Sequence, residues 1–259
     1  MRNLENTLWI ETRKALRSRL PLVTTAGFLI IPLVDVFFMV ILRDPEFARS
    51  LGLISAKAQL VAGSADWPTY LNIIAQAIAI GGLFLYGLVA AWVFGREFAD
   101  HTAVDLLAVP VPRAAILLAK FIVITVWCLT MTAIMYVVGI VLGSLLDLPL
   151  GSTETLMQGS LMIAACTLMV IALAFVTALV ASVGRGYLLP LGFVFLVMVL
   201  SQVIGIAGWG DYFPWAVPAL YANVAAGYPL APVSFWIVAL TGLAAMAGTY
   251  AWWRYADQT

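Results

Sequence analysis

Apolar residues run through this chain in six long blocks separated by short polar stretches: about 22–42, 70–94, 115–142, 155–183, 187–207 and 233–253. A helix crosses a ~30 Å hydrocarbon core with about 20 residues at 1.5 Å each, and every block meets that length. Within a bilayer each backbone N–H and C=O must find an internal partner, which a helix supplies. The pattern predicts an all-α polytopic membrane protein with six transmembrane helices. Its basic residues set the orientation. With the N-terminus in the cytoplasm, Arg2, Arg13, Lys14, Arg17, Arg19, Arg96, Arg113, Lys120, Arg185 and Arg254 face inward, and only Arg43, Arg49 and Lys57 face outward. That positive-inside bias places both termini in the cytoplasm. The block from Leu22 exceeds the ~7–15 residues of a signal-peptide core and contains Asp35, so it is expected to remain as the first span.

The polar stretches carry their own patterns. Leu4, Leu8, Leu16 and Leu20 recur at multiples of four with Trp9 beside them, while Arg13, Lys14 and Arg17 lie mostly opposite. Residues 1–21 therefore read as an amphipathic helix along the cytoplasmic headgroups, with Pro21 at the turn into the bilayer. Gly184-Arg185-Gly186 is so short that the fourth and fifth spans must be antiparallel neighbours. The external segment 208–232 has no Lys or Arg, but holds Trp209, Tyr212, Phe213, Trp215, Tyr221 and Tyr228 among four prolines. It is expected to be re-entrant or interfacial.

Composition removes several function classes. Of 259 residues, 64% are hydrophobic and 10% charged, against about a quarter charged in soluble domains. The net charge is zero, which gives no field to draw nucleic acid. Cys128 and Cys166 fall inside spans, where they read as small packing groups. No Gly-rich loop with Lys and Ser/Thr is present to cradle a phosphate, so any ATP and Mg would be bound by another chain. His101 is the sole histidine and has no evident partners for a metal site or a triad. A non-catalytic chain without a cofactor or metal of its own is the expectation, forming one transmembrane domain over 1–259.

The strongest local signal lies between the second and third spans, in residues 95–114. Thr102 and Asp105 have the spacing of a capping box, and Pro110 and Pro112 stop the element two turns later. This predicts a short helix over 103–109 that carries Leu106 and Leu107 on the cytoplasmic side, where they need burial in headgroups or a partner. The run of Glu97, Thr102, Leu106-Leu107, Pro110, Arg113 and Lys120 resembles the signature of ABC-2 type transporter permeases, and the six-span layout resembles the short drug and peptide-antibiotic resistance members. The resemblance implies a homodimer or heterodimer of permeases with two ATP-binding cassette ATPase subunits docked on the cytoplasmic face. It also implies that 97–113 is the coupling loop, with Glu97, Asp100, Thr102, Asp105, Leu106, Leu107, Pro110 and Arg113 as ATPase-coupling residues. Two positions depart from the family pattern: His101 and Ala119 stand where it has glycine. A left-handed turn is accordingly disfavoured at His101.

Inside the spans polarity is sparse. Asp35 is the one acid well within a span and reads either as part of a substrate path or dimer interface, or as a residue that snorkels outward. Gln76 and Gln202 are candidates for the same path, and Gly139 and Gly143 form a GxxxG that permits a close helix contact, a candidate for the dimer interface. Lys120, a few residues into the third span, is expected to snorkel to the cytoplasmic headgroups. The function this supports is the permease subunit of an exporter for a hydrophobic or amphipathic substrate, in a bacterial cytoplasmic membrane and in contact with its lipids. A self-sufficient channel or ion-coupled carrier is the alternative, though it usually needs more intramembrane charge. The orientation is directly testable. In a background lacking Cys128 and Cys166, cysteines at Ser64 and Ser152 should react with an impermeant thiol reagent added to intact cells. Cysteines at Thr102 and Thr259 should stay protected, and labelling in the reverse sense would invert the topology.

Overall fold

The structure, a computed structural model, describes residues 2–44, 64–102, 110–149, 152–222 and 230–256. The expected loop helix at 103–109, with Asp105, Leu106 and Leu107, lies outside the described residues, as does 223–229 of the external segment. The described elements are helical without strands: α1 (Arg2–Leu16), α2 (Leu20–Arg43), α3 (Trp67–Ala99), α4 (Arg113–Leu145), α5 (Thr153–Val183) and α6 (Leu188–Ile206), then a 3-10 turn (Gly210–Tyr212), α7 (Val217–Ala222) and α8 (Pro232–Tyr255). Six of them, α2 to α6 and α8, are long and apolar enough to cross a membrane.

Local chemistry sets where the helices begin. Ser18 closes α1 by donating to the Ala15 carbonyl at 2.7 Å and accepts from the Leu20 N–H at 3.2 Å, so one side chain makes the corner between α1 and α2. Asp66 caps α3 by accepting from the Thr69 N–H at 2.9 Å, and Ser152 caps α5 through the Thr155 N–H at 3.2 Å. Helices α3 and α4 each run 33 residues, roughly 50 Å, and so outlast a ~30 Å core.

α3 is the central column. Tyr70, Ile74, Ile78, Tyr86, Ala90 and Phe94 fall at four-residue steps or multiples of them, and all are fully buried. Its main partner is α5, which packs on α8 in turn, while α2 and α6 lie at the periphery. The column permits backbone contact at its end: a Cβ on Gly95 would sit 2.8 Å from the Gly186 carbonyl oxygen in the α5–α6 connection. The GxxxG pair is likewise used within the chain. A Cβ on Gly143 would meet the Trp67 and Tyr70 rings at 2.8–2.9 Å, and one on Gly139 would meet Ile74 at 3.1 Å. Both glycines are buried against α3, so the close helix contact that the GxxxG permits is made within the chain.

The chain turns back into the bundle after α6. Gly210 folds against Gly205, and Trp215 reaches Phe193 with ring centroids 5.7 Å apart. Phe193 is roughly 20 Å along α6 from its Ile206 end, so Trp215 marks the deep tip of a hairpin. α7 then climbs back, with Val217 and Ala222 buried and the Pro218 carbonyl accepting from the Cys166 thiol at 3.6 Å. Asn72 of α3 holds the top of α7 by donating to the Ala222 carbonyl.

Two glycines of α3 should behave oppositely. Gly95→Ala forces backbone apart and is expected to cost about 1–3 kcal/mol. Gly81→Ala, where nothing lies within 4 Å, should be neutral or gain up to about 1 kcal/mol from helix propensity. Unfolding of the purified protein in detergent micelles distinguishes them, and equal effects would contradict the Gly95–Gly186 contact.

Candidate functional site

Four charges close into a ring where α1, α3 and α4 meet, at the end of the bundle that carries the N-terminal helix and the last turn of α8. Lys120 is fully buried, and its ammonium donates to Glu11 Oε2 at 3.1 Å, Glu97 Oε1 at 3.0 Å and the Val93 carbonyl at 2.9 Å. All three of its protons are thereby used. Lys14 bridges the same two acids, donating to Glu11 Oε1 at 2.9 Å and Glu97 Oε1 at 3.0 Å. Each lysine thus binds both glutamates, and the ring sums to zero charge. Burial alone would lower the Lys14 pKa, but Glu11 and Glu97 outweigh it and raise it, so the ammonium stays charged. The Phe94 ring lies 5.8 Å from the Lys120 nitrogen and adds a π face to its surroundings.

This arrangement corrects the expectation for Lys120, which turns inward to two acids rather than out to headgroups. The reason is Glu11. Thr7, Glu11 and Ala15 recur every four residues and form the buried face of α1, whereas Trp9 and Leu16 are exposed. The face that packs is therefore rotated from the leucine stripe. A carboxylate at its centre demands a cation opposite, and Lys120 supplies it.

The ring also holds the chain at Thr102, just past the end of α3. The Thr102 hydroxyl donates to Glu97 Oε2 at 3.1 Å. Its N–H bonds the Glu97 carbonyl at 2.9 Å, and the His101 N–H bonds the Phe98 carbonyl at 3.2 Å. Those two bonds form a Schellman ending to α3, with His101 in the left-handed position at φ 55°. The left-handed turn thus forms without glycine. Histidine is among the residues that enter this region more readily than most, and the two bonds compensate the strain. Asp100 pairs with Arg96 at 3.1 Å on the surface, and Pro110 is exposed. Arg113 caps α8 by donating to the Trp253 carbonyl at 2.5 Å and the Arg254 carbonyl at 3.1 Å, where a cation suits the helix C-terminus.

The other candidates are not brought together. Asp35 is buried at 2% exposure, close to Tyr70, and its Oδ2 has no hydrogen-bond partner among the described residues. Tyr70 donates instead to the Gly139 carbonyl at 2.9 Å. Gln76 donates to Asn72 and so buttresses the clamp on α7, while Gln202 is exposed on α6. Buried Tyr86 shares a hydrogen bond with Thr132 midway along the bundle, a pair that the sequence pattern gave no reason to single out.

Six apolar helices long enough to cross a membrane, with a largely buried charge ring where α1, α3 and α4 meet, define a multi-pass helical membrane protein. Residues 7–201 match the family described as ABC-2 family transporter protein, and the chain belongs to that family. The matched region runs from within α1 into α6 and contains all four ring residues. The Bacitracin transport permease protein BCRB of Bacillus licheniformis is 26% identical over 182 residues, covering 68% of this chain and 85% of that protein. The chain is therefore a transmembrane subunit of an ABC transporter.

The ring should behave as a unit. Lys120→Met leaves two buried carboxylates with one cation and is expected to cost about 3–5 kcal/mol. Adding Glu97→Gln restores a one-to-one Lys14–Glu11 pair and should recover part of that loss. A double-mutant cycle on unfolding in detergent reads this, and additivity within about 0.5 kcal/mol would show that the two groups are independent.

Proposed function

We infer that this protein is the permease half of an exporter, switched by a separate ATP-binding cassette ATPase that docks on the 97–113 loop. The observation that supports the reading is the anchoring of that loop. Glu97 belongs at once to the charge ring and to the Thr102 contact, and Arg113 ties the far end of the loop to α8. Force applied to the loop would reach α1, α3, α4 and α8 together, because none of these contacts can slip without stranding a buried charge or an open helix end. The ATPase binds ATP and Mg, and this chain supplies the path.

The remaining parts follow the same reading. The ring end, with its excess of Lys and Arg, faces the cytoplasm of a bacterial cell, and both termini lie there. A second permease copy, identical or homologous, covers the apolar faces that α2 and α6 present through Leu33, Phe37, Leu189 and Phe195. The substrate is hydrophobic or amphipathic, with a peptide antibiotic as the class suggested by the bacitracin permease relative.

The test is Leu106→Asp with Leu107→Asp. Insertion should persist because the loop lies outside the spans, whereas docking should fail, since burial of each leucine is worth roughly 1.5–3 kcal/mol. Co-elution with the candidate ATPase and substrate-stimulated ATP hydrolysis are the measurements. Unchanged binding and hydrolysis would falsify the coupling role and return a channel or ion-coupled carrier, drawing on Asp35, to first place.

A further inference from the structure

Beside the ring, on the opposite flank of Lys14, a cleft of about 480 Å³ opens between α1, the end of α3 and the start of α6. We propose that this cleft, lined by Trp9, Arg13, Arg17, Trp92, Arg96 and Tyr187, binds the phosphodiester headgroup of an anionic phospholipid.

Charge bookkeeping comes first. Lys14 is spent on Glu11 and Glu97, and Arg96 is paired with Asp100 at 3.1 Å. Arg13 and Arg17 line the same cleft with no acidic partner among the described residues, which leaves two uncompensated guanidinium groups. Their geometry favours an anion. The Arg13 guanidinium lies over the Trp9 ring at 4.9 Å, and that of Arg96 over the Trp92 ring at 5.1 Å. The Trp9 face supports the Arg13 guanidinium on one side, and no acid among the described residues takes its N–H groups, the fork that suits phosphate oxygens. Arg96 gives its Nε–H to Asp100, which also lines the cleft.

The surroundings identify which phosphate. Trp9 is 61% exposed and Ile10 47%, on a helix whose other face is docked to the protein, so the rim of the cleft is apolar. Trp9, Trp92 and Tyr187 are the residue types that settle at headgroup depth. Tyr187 directly precedes α6, and the apolar start of that helix, with Leu188 at 87% exposure, offers a track for acyl chains. A soluble phosphate would gain nothing from this rim, whereas a lipid would use both halves. The site does not depend on ATPase coupling. It needs only that this end of the bundle meet a leaflet containing acidic lipid.

The test is native mass spectrometry of the full chain in detergent, titrated with phosphatidylglycerol or phosphatidylcholine. Two uncompensated basic groups at the headgroup plane should give phosphatidylglycerol about thirtyfold preference. Arg13→Gln with Arg17→Gln should bring that preference down to near onefold. Both side chains are exposed, so the fold should be unaffected, and unchanged micellar unfolding checks this. Arg13→Lys with Arg17→Lys should keep much of the preference, since it keeps the charge. Equal binding of the two lipids by the wild type would overturn the proposal, as would a double Gln variant with undiminished preference. Displacement of phosphatidylglycerol by equimolar inorganic phosphate or ATP would reassign the cleft to a soluble phosphate and also overturn it.

Discussion

An ammonium group with no accessible surface can persist near a membrane only if every one of its protons is accepted and its charge is balanced at contact distance. Lys120 meets both conditions, and the geometry that lets it do so fixes three helices at once. Glu11 must come from α1, Glu97 from the last turns of α3, and the Val93 carbonyl from one turn earlier on the same face. An ion pair of this kind adds little stability over a well-packed apolar substitute, because desolvation consumes most of the Coulomb gain. What it adds here is register. A rotation of α1 that satisfied its leucine stripe would leave Glu11 in lipid and Lys120 with an unpaired charge, and both outcomes are far costlier than exposing Leu16.

The remaining polar contacts divide by depth. At the opposite end of the bundle, Asn72 and Gln76 hold the returning arm of the hairpin after α6, and Arg43 reaches the Leu146 carbonyl at 2.6 Å to tie α2 to the end of α4. Tyr70 donates to a backbone carbonyl at that same end, and between the two ends the contacts are neutral, among them Tyr86 with Thr132 and the Trp127 indole donating to Thr24 at 3.2 Å. The bundle is thus latched by polar groups at its ends and held by apolar packing in its middle. Asp35 is the exception, a buried carboxylate in the apolar zone with an oxygen that no described neighbour satisfies.

The fold was legible because a bilayer leaves so few options: six apolar blocks of sufficient length have to be helices, and six such helices are present. The three-residue link at 184–186 likewise gave α5 and α6 as neighbours. What could not be read was which face of a helix meets which neighbour. Leu4, Leu8, Leu16 and Leu20 drift around α1 as well as along it, and an interfacial helix has two apolar surroundings, lipid and protein, that hydropathy does not distinguish. The spacing of Thr7, Glu11 and Ala15 was visible, but it carries meaning only once a buried cation stands opposite. Lys120 failed as an expectation for the same reason: snorkelling is the rule for a lysine near a span end, and a partner more than a hundred residues away overrides it. Gly139 and Gly143 signalled a close helix contact without saying that α3 of the same chain would fill it. At His101 the intrinsic preference for glycine is overridden by the bonds between Thr102 and Glu97 that hold the turn, and those join residues whose pairing only the folded helix end reveals.

Those bonds bear on how a push on the loop could be transmitted. α3 ends at Ala99, and within three residues the chain has reversed hand at His101 and returned a hydroxyl to Glu97. A loop leaving a frayed helix end would absorb a displacement by local unwinding. Here unwinding would first have to break Thr102 from Glu97, and Glu97 is held in turn by both lysines. Movement of the loop base therefore carries α1 with it. α1 continues into α2 through a corner pinned by Ser18, and α2 is among the least embedded of the spans, with its outer face open and Asp35 on its inner one. The path of least resistance for a displacement at the ring accordingly runs from α1 into α2, a lightly embedded span that carries in Asp35 a buried acid with an oxygen no described neighbour satisfies.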